Sequence, residues 1–374
     1  MNSQTVGLYL HIPFCRNKCP YCDFYSVPFV EELADAYIHT LVRAMQAHPF
    51  GELRADTLYL GGGTPSLLGA ARLTAILESS VRHFGLSDDC EITLEANPES
   101  VTSSLLSDLR LAGFNRLCLG VQSCADDELS ALGRTHTFRQ AEKAILDGHN
   151  YGFENISADL MLAIPGQNAQ SLSQSIRLLA GLPLTHISAY LLKVEPGTLF
   201  AQKKQALPNE DEAASLYLQC VDELAKAGFA QYEISNFCLP SMESRHNLKY
   251  WRRQPYLGLG SAAHSFVGKR FFFPADLRAF LATEYPFDLI TPEDPAPAIE
   301  EELMLRLRLT KGFDLSVLAN QGVGPAPLLQ KADKLATLGL CRVEGNNISL
   351  TPQGFLLSNP IIAEFTQALE DSGR

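Results

Sequence analysis

Short apolar, β-rich runs alternate with longer amphipathic stretches through the first two-thirds of the chain. The runs Gly7–Ile12, Thr57–Gly61, Glu91–Ala96, Arg116–Val121, Asn155–Leu162 and His186–Lys193 read as strands. Helical periodicity occupies residues 31–48, 67–83, 101–112, 138–150, 168–181 and 210–228. Strand, crossover helix and strand repeated six times predicts parallel strands, and the α/β class follows. The architecture expected is a partial (β/α)6 barrel over residues 1–240, with its chemistry at the C-terminal ends of the strands.

Beyond the barrel, 241–285 reads as a connecting segment and 286–299, rich in Pro, Asp and Glu, as a linker. Residues 300–374 then show helices near 299–309, 314–321 and 325–338. A hairpin follows, Leu340–Val343 with Ile348–Thr351, and a last helix over 352–370. This order predicts a small winged-helix-like α+β domain. From residue 295 onward seven Lys/Arg face nine Asp/Glu, so the basic footprint of a DNA-binding module is missing. A lid or docking role is the expectation.

The whole chain carries a net charge of −12, against general affinity for nucleic-acid phosphates. Met1–Thr5 has neither the basic nor the apolar region of a signal peptide, and no apolar run approaches a membrane span. Nine cysteines, an odd number, suit thiolate ligation in a reducing cytoplasm better than disulfides.

Three of them, Cys15, Cys19 and Cys22, form CxxxCxxC directly after the first strand. Three thiolates can hold three corners of a [4Fe–4S] cluster, leaving one iron for a chelating small molecule. Zinc is the competing occupant, but it needs a fourth ligand and usually a second CxxC knuckle, which the sequence lacks. A redox CxxC pair leaves the third cysteine unused. The other six stand singly and read as buried, inert thiols.

Further strand ends carry chemistry. Gly61-Gly62-Gly63-Thr64-Pro65 follows the second strand, Glu95 closes the third and Gln122 the fourth. Asp159 lies inside the fifth strand, where an acid is disfavoured without a purpose, and Arg134 offers a planar fork for a carboxylate. For any one of these residues a capping or structural role competes with ligand binding.

The cysteine spacing resembles the signature of the radical-SAM superfamily, whose cluster binds S-adenosyl-L-methionine (SAM). Tyr9-Leu-His-Ile-Pro-Phe-Cys15, Gly61–Ser66, Glu95-Ala-Asn-Pro98, Gly120-Val-Gln-Ser123, Asp159-Leu-Met161 and Pro165-Gly-Gln167 narrow the likeness. Together they resemble the branch holding the oxygen-independent coproporphyrinogen dehydrogenases and the HemW-type heme chaperones. The resemblance implies that the three cysteines, Tyr9, Gly62 and Glu95 contact the cluster and its SAM. Tyr21, Gly63, Thr64, Gln122, Arg134 and Asp159 are implied as further SAM-site positions. The dehydrogenases have another cysteine where this chain has Phe24, and a long extension where only fourteen residues precede Cys15. Both differences favour the chaperone type, with porphyrinogen oxidation as the alternative.

His246-Asn-Leu-Lys-Tyr-Trp251 resembles the heme-binding motif of the chaperones. By it His246, Tyr250 and Trp251 are implied as heme contacts. From the residues alone, an aromatic pair packing the barrel edge beside a structural histidine is the simpler reading. Departures from the family are Ala262 for a common glycine, Leu162-Ala163 for an aromatic–glycine pair, and Cys124 for Phe. The partners implied are heme-acceptor proteins, respiratory enzymes foremost, with a homodimer and peripheral membrane contact also in view. Whether the chain acts as an enzyme is left open by its residues.

Overall fold

A computed structural model describes residues 4–203, 205–294, 297–319 and 324–371. Six parallel strands form the barrel: β1 Gln4–Ile12, β2 Leu53–Gly62, β3 Leu86–Ala96, β4 Arg116–Gln122, β5 Asn155–Leu162 and β6 His186–Leu191. They lie side by side in chain order, and each is joined to the next through helix. Helices Glu31–Ala47, Gly69–Phe84, Ser103–Ala112, Phe138–Asn150, Ala169–Ala180 and Glu210–Lys226 pack outside. Helix Glu31–Ala47 shows why: Ala34, Tyr37, Ile38, Leu41, Ala44 and Met45 repeat at three- and four-residue spacing and all are buried. Four of these helices open with a side-chain cap, from Thr102, Thr137, Asn168 and Asn209.

Strand periodicity divides the barrel wall. Val6, Leu8, Leu10 and Ile12 alternate with Gly7, Tyr9 and His11, and both sets are largely buried. The aliphatic set packs under the helices. The second set joins a polar lumen, where His246 comes against Gly7, Tyr9 and Tyr59. An interior this polar differs from the branched aliphatic layers that fill a closed barrel.

The sheet continues past both ends of the barrel. The segment expected to be a mere connection contributes Tyr256–Leu259, which runs parallel to β1 with Gly7 opposite Tyr256 and Leu10 opposite Leu259. Hairpin strands His264–Val267 and Lys269–Phe272 extend it. The expected linker is likewise built into the fold: Thr291–Pro292 pairs with Phe271–Phe272, and Pro286–Leu289 forms a short 3-10 turn. Its composition hid the cause, since Phe287 packs edge-on against Phe50 and Phe273 at 5.7 and 5.5 Å. At the other edge, Asn236–Cys238 runs antiparallel to β6, so the barrel stays open.

The C-terminal domain contains helices Ala298–Arg306, Ser316–Ala319 and Ala326–Thr337, and a hairpin of Cys341–Glu344 with Asn347–Leu350. Strand Phe313–Asp314 joins the hairpin, and helices Pro352–Leu356 and Ser358–Asp371 close the chain. Part of the helix expected at 314–321 falls at residue 320 and beyond, outside the described residues.

Candidate functional site

The three cysteines sit on a loop at the C-terminal end of β1. Phe14–Cys15 pairs with Val27–Pro28, and backbone bonds from Val27 to Pro13 (2.7 Å) and from Phe29 to Cys15 (2.9 Å) staple the loop shut. Phe14 anchors it, fully buried with its ring edge-on to Tyr37 and Phe29. All three thiols are free and half-buried.

Hydrogen-bond donors converge on the sulfurs. The Thr64 hydroxyl lies 3.7 Å from Cys15 Sγ, and Arg134 Nη1 lies 3.4 Å from Cys19 Sγ. Burial pushes the Cys22 thiol up, opposed by a backbone hydrogen bond at Phe24, and the charges of Cys19 and Cys15 add to the rise. The three sulfurs therefore sense one another. Among the described residues, no three His, Cys, Asp or Glu groups are gathered for one metal ion. Three free thiols on one closed loop, with donors beside two of the sulfurs, are a donor set that fits a cluster.

Arg134 ties the loop to the strand ends. Its Nη2 donates to Asn97 Oδ1 at 2.7 Å and to the Gly120 carbonyl at 3.0 Å, so in this state its fork holds no carboxylate. Gln122 reaches the same spot: a Cβ on Gly120 would meet Gln122 Nε2, Arg134 Nη2 and Asn97 Oδ1 within 3.4 Å. The Gln122 backbone has φ of 70°, beside a shift of register between β4 and β5. Burial pushes the Tyr21 hydroxyl up, with Arg134 opposing the rise, and its ring packs edge-on against Phe200. Next to this group lies a cavity of about 240 Å³ lined by Arg16, Cys19, Thr64, Asn97, Glu99 and Arg134.

The glycine turn serves close packing. A Cβ on Gly62 would lie 2.6 Å from the His11 ring, and one on Gly63 would lie 2.6 Å from the Phe14 carbonyl. Gly62 also has φ of 113°. Its N–H donates to Glu95 Oε2 at 3.1 Å, while Tyr59 OH donates to Oε1 at 2.6 Å. Burial raises the Glu95 carboxyl to about 7, a rise the Tyr59 bond only partly offsets and Asp159 reinforces. Asp159, also raised by burial, accepts from the Cys118 thiol at 3.5 Å.

Tyr9 donates to His11 Nδ1 at 3.0 Å, because His11 Nε2 must carry the proton it gives to the Tyr25 carbonyl at 3.1 Å. Burial lowers His11 to about 4, so the imidazole is neutral. His11, Tyr59, Asn97 and Cys118, which motif reading did not single out, touch the predicted positions Tyr9, Glu95, Arg134 and Asp159. Strict alternation from Tyr9 and from Glu95 would have found His11 and the inward face of β3.

The HNxxYW residues lie deeper in the lumen, where His246 meets Tyr9 and Tyr59. Helix Arg245–Trp251 plugs the opposite end of the barrel, where the strands begin. Glu91, midway along β3 and opposite Thr57, accepts the backbone N–H groups of Arg245 and His246 at 3.1 and 3.0 Å. Lys249 is ion-paired with Asp56 at 2.8 Å. His246 is only 1% exposed, with Nδ1 bonded to Thr57 Oγ1 and Nε2 to Tyr250 OH, both at 2.8 Å. Its ring stacks 5.1 Å from Tyr59, and burial lowers it to about 3. Both nitrogens are spent, so the face expected from His246, Tyr250 and Trp251 is not presented in this conformation. Trp251, half-buried, instead lies under Arg308 of the C-terminal domain at 5.8 Å.

Residues 9–179 match the radical SAM superfamily model, and residues 294–357 match the HemN C-terminal domain. The heme chaperone HemW of Lactococcus lactis is 34% identical, with 98% of each chain covered. That of Bacillus subtilis is 34% identical over 96% of this chain and 98% of its own. Coproporphyrinogen III oxidase (HemN) from Escherichia coli has a similar structure, with TM-score 0.84 over 97% of this chain and 90% of that one. At 22% identity it shows the fold alone. No helix among the described residues is long and apolar enough to cross a membrane.

Proposed function

The chain belongs to the HemW heme chaperones of the radical SAM superfamily, and from this we propose that it binds heme and transfers it to acceptor proteins. The relationship over nearly the whole chain carries the reading. Superfamily membership implies a [4Fe–4S] cluster and SAM as cofactors. When bound, the cluster supplies one-electron chemistry toward SAM. Cys15, Cys19 and Cys22 would hold it, with Thr64 donating toward Cys15 Sγ and Arg134 toward Cys19 Sγ. Around SAM we place Tyr9, Tyr21, Gly62, Gly63, Thr64, Glu95, Gln122, Arg134 and Asp159. The support is their convergence on the strand ends beside the cysteine loop. Glu95 would accept an N–H from the ligand, and Tyr59 holds that carboxylate in place.

Heme contacts at His246, Tyr250 and Trp251 remain our proposal for the cargo, with one condition. His246 Nε2 reaches iron only when it gives up the Tyr250 hydroxyl and the helix leaves the barrel floor. Nine free thiols are in keeping with a cytoplasmic protein. We take heme-requiring respiratory enzymes as the acceptors, met at the membrane surface. Porphyrinogen oxidation is disfavoured because Phe24, 65% exposed, stands where the dehydrogenases have a cysteine.

The test pairs two assays on protein reconstituted anaerobically. Heme binding with transfer to an apo-acceptor is expected, and coproporphyrinogen oxidation is not. His246→Ala should weaken heme binding and shift the Soret band while the cluster absorption stays. Wild type that binds no heme, or that oxidises coproporphyrinogen, refutes the chaperone reading.

A further inference from the structure

The helix that encloses His246 is held at its far end by the C-terminal domain. Glu301, on helix Ala298–Arg306, is 6% exposed and gives one carboxylate oxygen to each of two arginines. Arg253 Nε donates to Oε2 at 2.5 Å, and Arg270 Nε donates to Oε1. The two guanidinium carbons lie 4.9 and 5.0 Å from the centroid of the Phe266 ring, which spaces the like charges apart. Removing Glu301 would take the ion-pair partner from both arginines, Arg270 keeping only its bond to the Tyr256 hydroxyl at 3.0 Å.

Arg253 comes two residues after Trp251 and has φ of 52°. A residue with a side chain holds that conformation only where its surroundings impose it. Here the end of the helix imposes it, Arg253 N–H bonding the Tyr250 carbonyl at 3.2 Å and Gln254 N–H the Lys249 carbonyl at 2.9 Å, and Glu301 grips the side chain of that capping residue. Arg308 over Trp251 is a second contact from the same domain. The floor helix is thus pinned at its start by Glu91 of the barrel and at its end by Glu301 of the C-terminal domain.

We propose that the C-terminal domain is a clasp on the His246 helix, and that its hold sets how readily His246 is exposed. The proposal rests on the heme-chaperone reading for its purpose, though not for its structural content. Heme would bind the unseated form, so its apparent affinity is reduced by the fraction of molecules unclasped. Loosening the clasp should therefore tighten heme binding, the opposite of what a simple loss of structure would do.

Two measurements on the full chain separate these matters. Amide hydrogen exchange without heme reads the clasp, and Soret titration with heme reads the cargo. In Glu301→Gln, exchange at residues 245–251 should rise about tenfold or more while helix Gly69–Phe84 keeps its wild-type protection, and heme affinity should rise by a similar factor. Arg253→Gln, which removes the guanidinium while leaving a side chain at the left-handed capping position, should do the same. Unchanged exchange at 245–251 in both variants overturns the clasp. Equal acceleration in the control helix overturns it as well, because the variant has then only lost global stability. Local acceleration with no heme bound by any of the proteins establishes the clasp and removes the heme reading.

Discussion

Replacing Glu95 by Gln removes a charge while keeping the side chain's size, at the point where the glycine turn meets the lumen. The carboxylate accepts from Gly62 N–H and Tyr59 OH. The amide oxygen can keep the first bond, and the Tyr59 hydroxyl can rotate to accept from the amide nitrogen. The fold should therefore lose only about 1 kcal/mol. Ligand binding should lose more. A hydrogen bond to a charged acceptor contributes roughly 1.5–3 kcal/mol, and 1.4 kcal/mol is a factor of ten, so SAM should bind about 10- to 150-fold more weakly. The pH dependence sharpens the test. With Glu95 raised to about 7, the apo protein carries a proton on it below that pH. SAM affinity in wild type should then fall, by up to about tenfold per pH unit, as pH drops below 7, and this dependence should vanish in the variant. Stability runs the other way. A raised carboxyl contributes stability below its unfolded value of 4.5 that is lost as pH rises through 7. Calorimetric titration of SAM into cluster-loaded protein between about pH 6 and 8 checks the first claim. An affinity in Glu95→Gln within twofold of wild type, with an unchanged pH profile, would refute the role assigned to Glu95.

Ala at Cys15, Cys19 or Cys22 should abolish the visible cluster absorption and lower bound iron, whereas Ala at Cys90 or Cys341, whose thiols burial raises, should leave both unchanged; a triple variant still holding a full cluster's iron would rule out these ligands. Gly62→Ala should cost roughly 2–4 kcal/mol in denaturant unfolding, since φ of 113° and a 2.6 Å approach to His11 leave no room for a Cβ. Acid should act through the buried histidines. His246 at about 3 stays neutral in the fold while the unfolded chain takes up protons below 6.5, so its contribution is full above 6.5 and is lost as pH falls toward 3. Glu95 and Glu233, both raised to about 7, act in the opposite sense, so the comparison must be between proteins. Wild type should lose up to about 1.4 kcal/mol more per pH unit than His246→Gln between pH 6 and 4, and parallel stability curves would contradict this.

Local information was enough for the barrel, the cysteine loop and the glycine turn. Strand alternation and helix periodicity are properties of neighbouring residues, so β5 begins and ends where its sequence predicts, at Asn155 and Leu162. The CxxxCxxC spacing likewise lies within one loop, and only its closing bonds to residues 27 and 29 had to come from the fold. What required tertiary structure was every relation between distant segments. Tyr256–Leu259 reads as a glycine-rich connection until β1 offers it a parallel partner. The Pro- and acid-rich stretch hides Phe287, whose partners Phe50 and Phe273 lie far away in sequence. His246 is the clearest case. Its motif suggests an available imidazole, yet Thr57, 189 residues away, and Tyr250 take both nitrogens. A side chain's chemistry is written in its sequence, but its freedom to use that chemistry depends on what the fold packs against it.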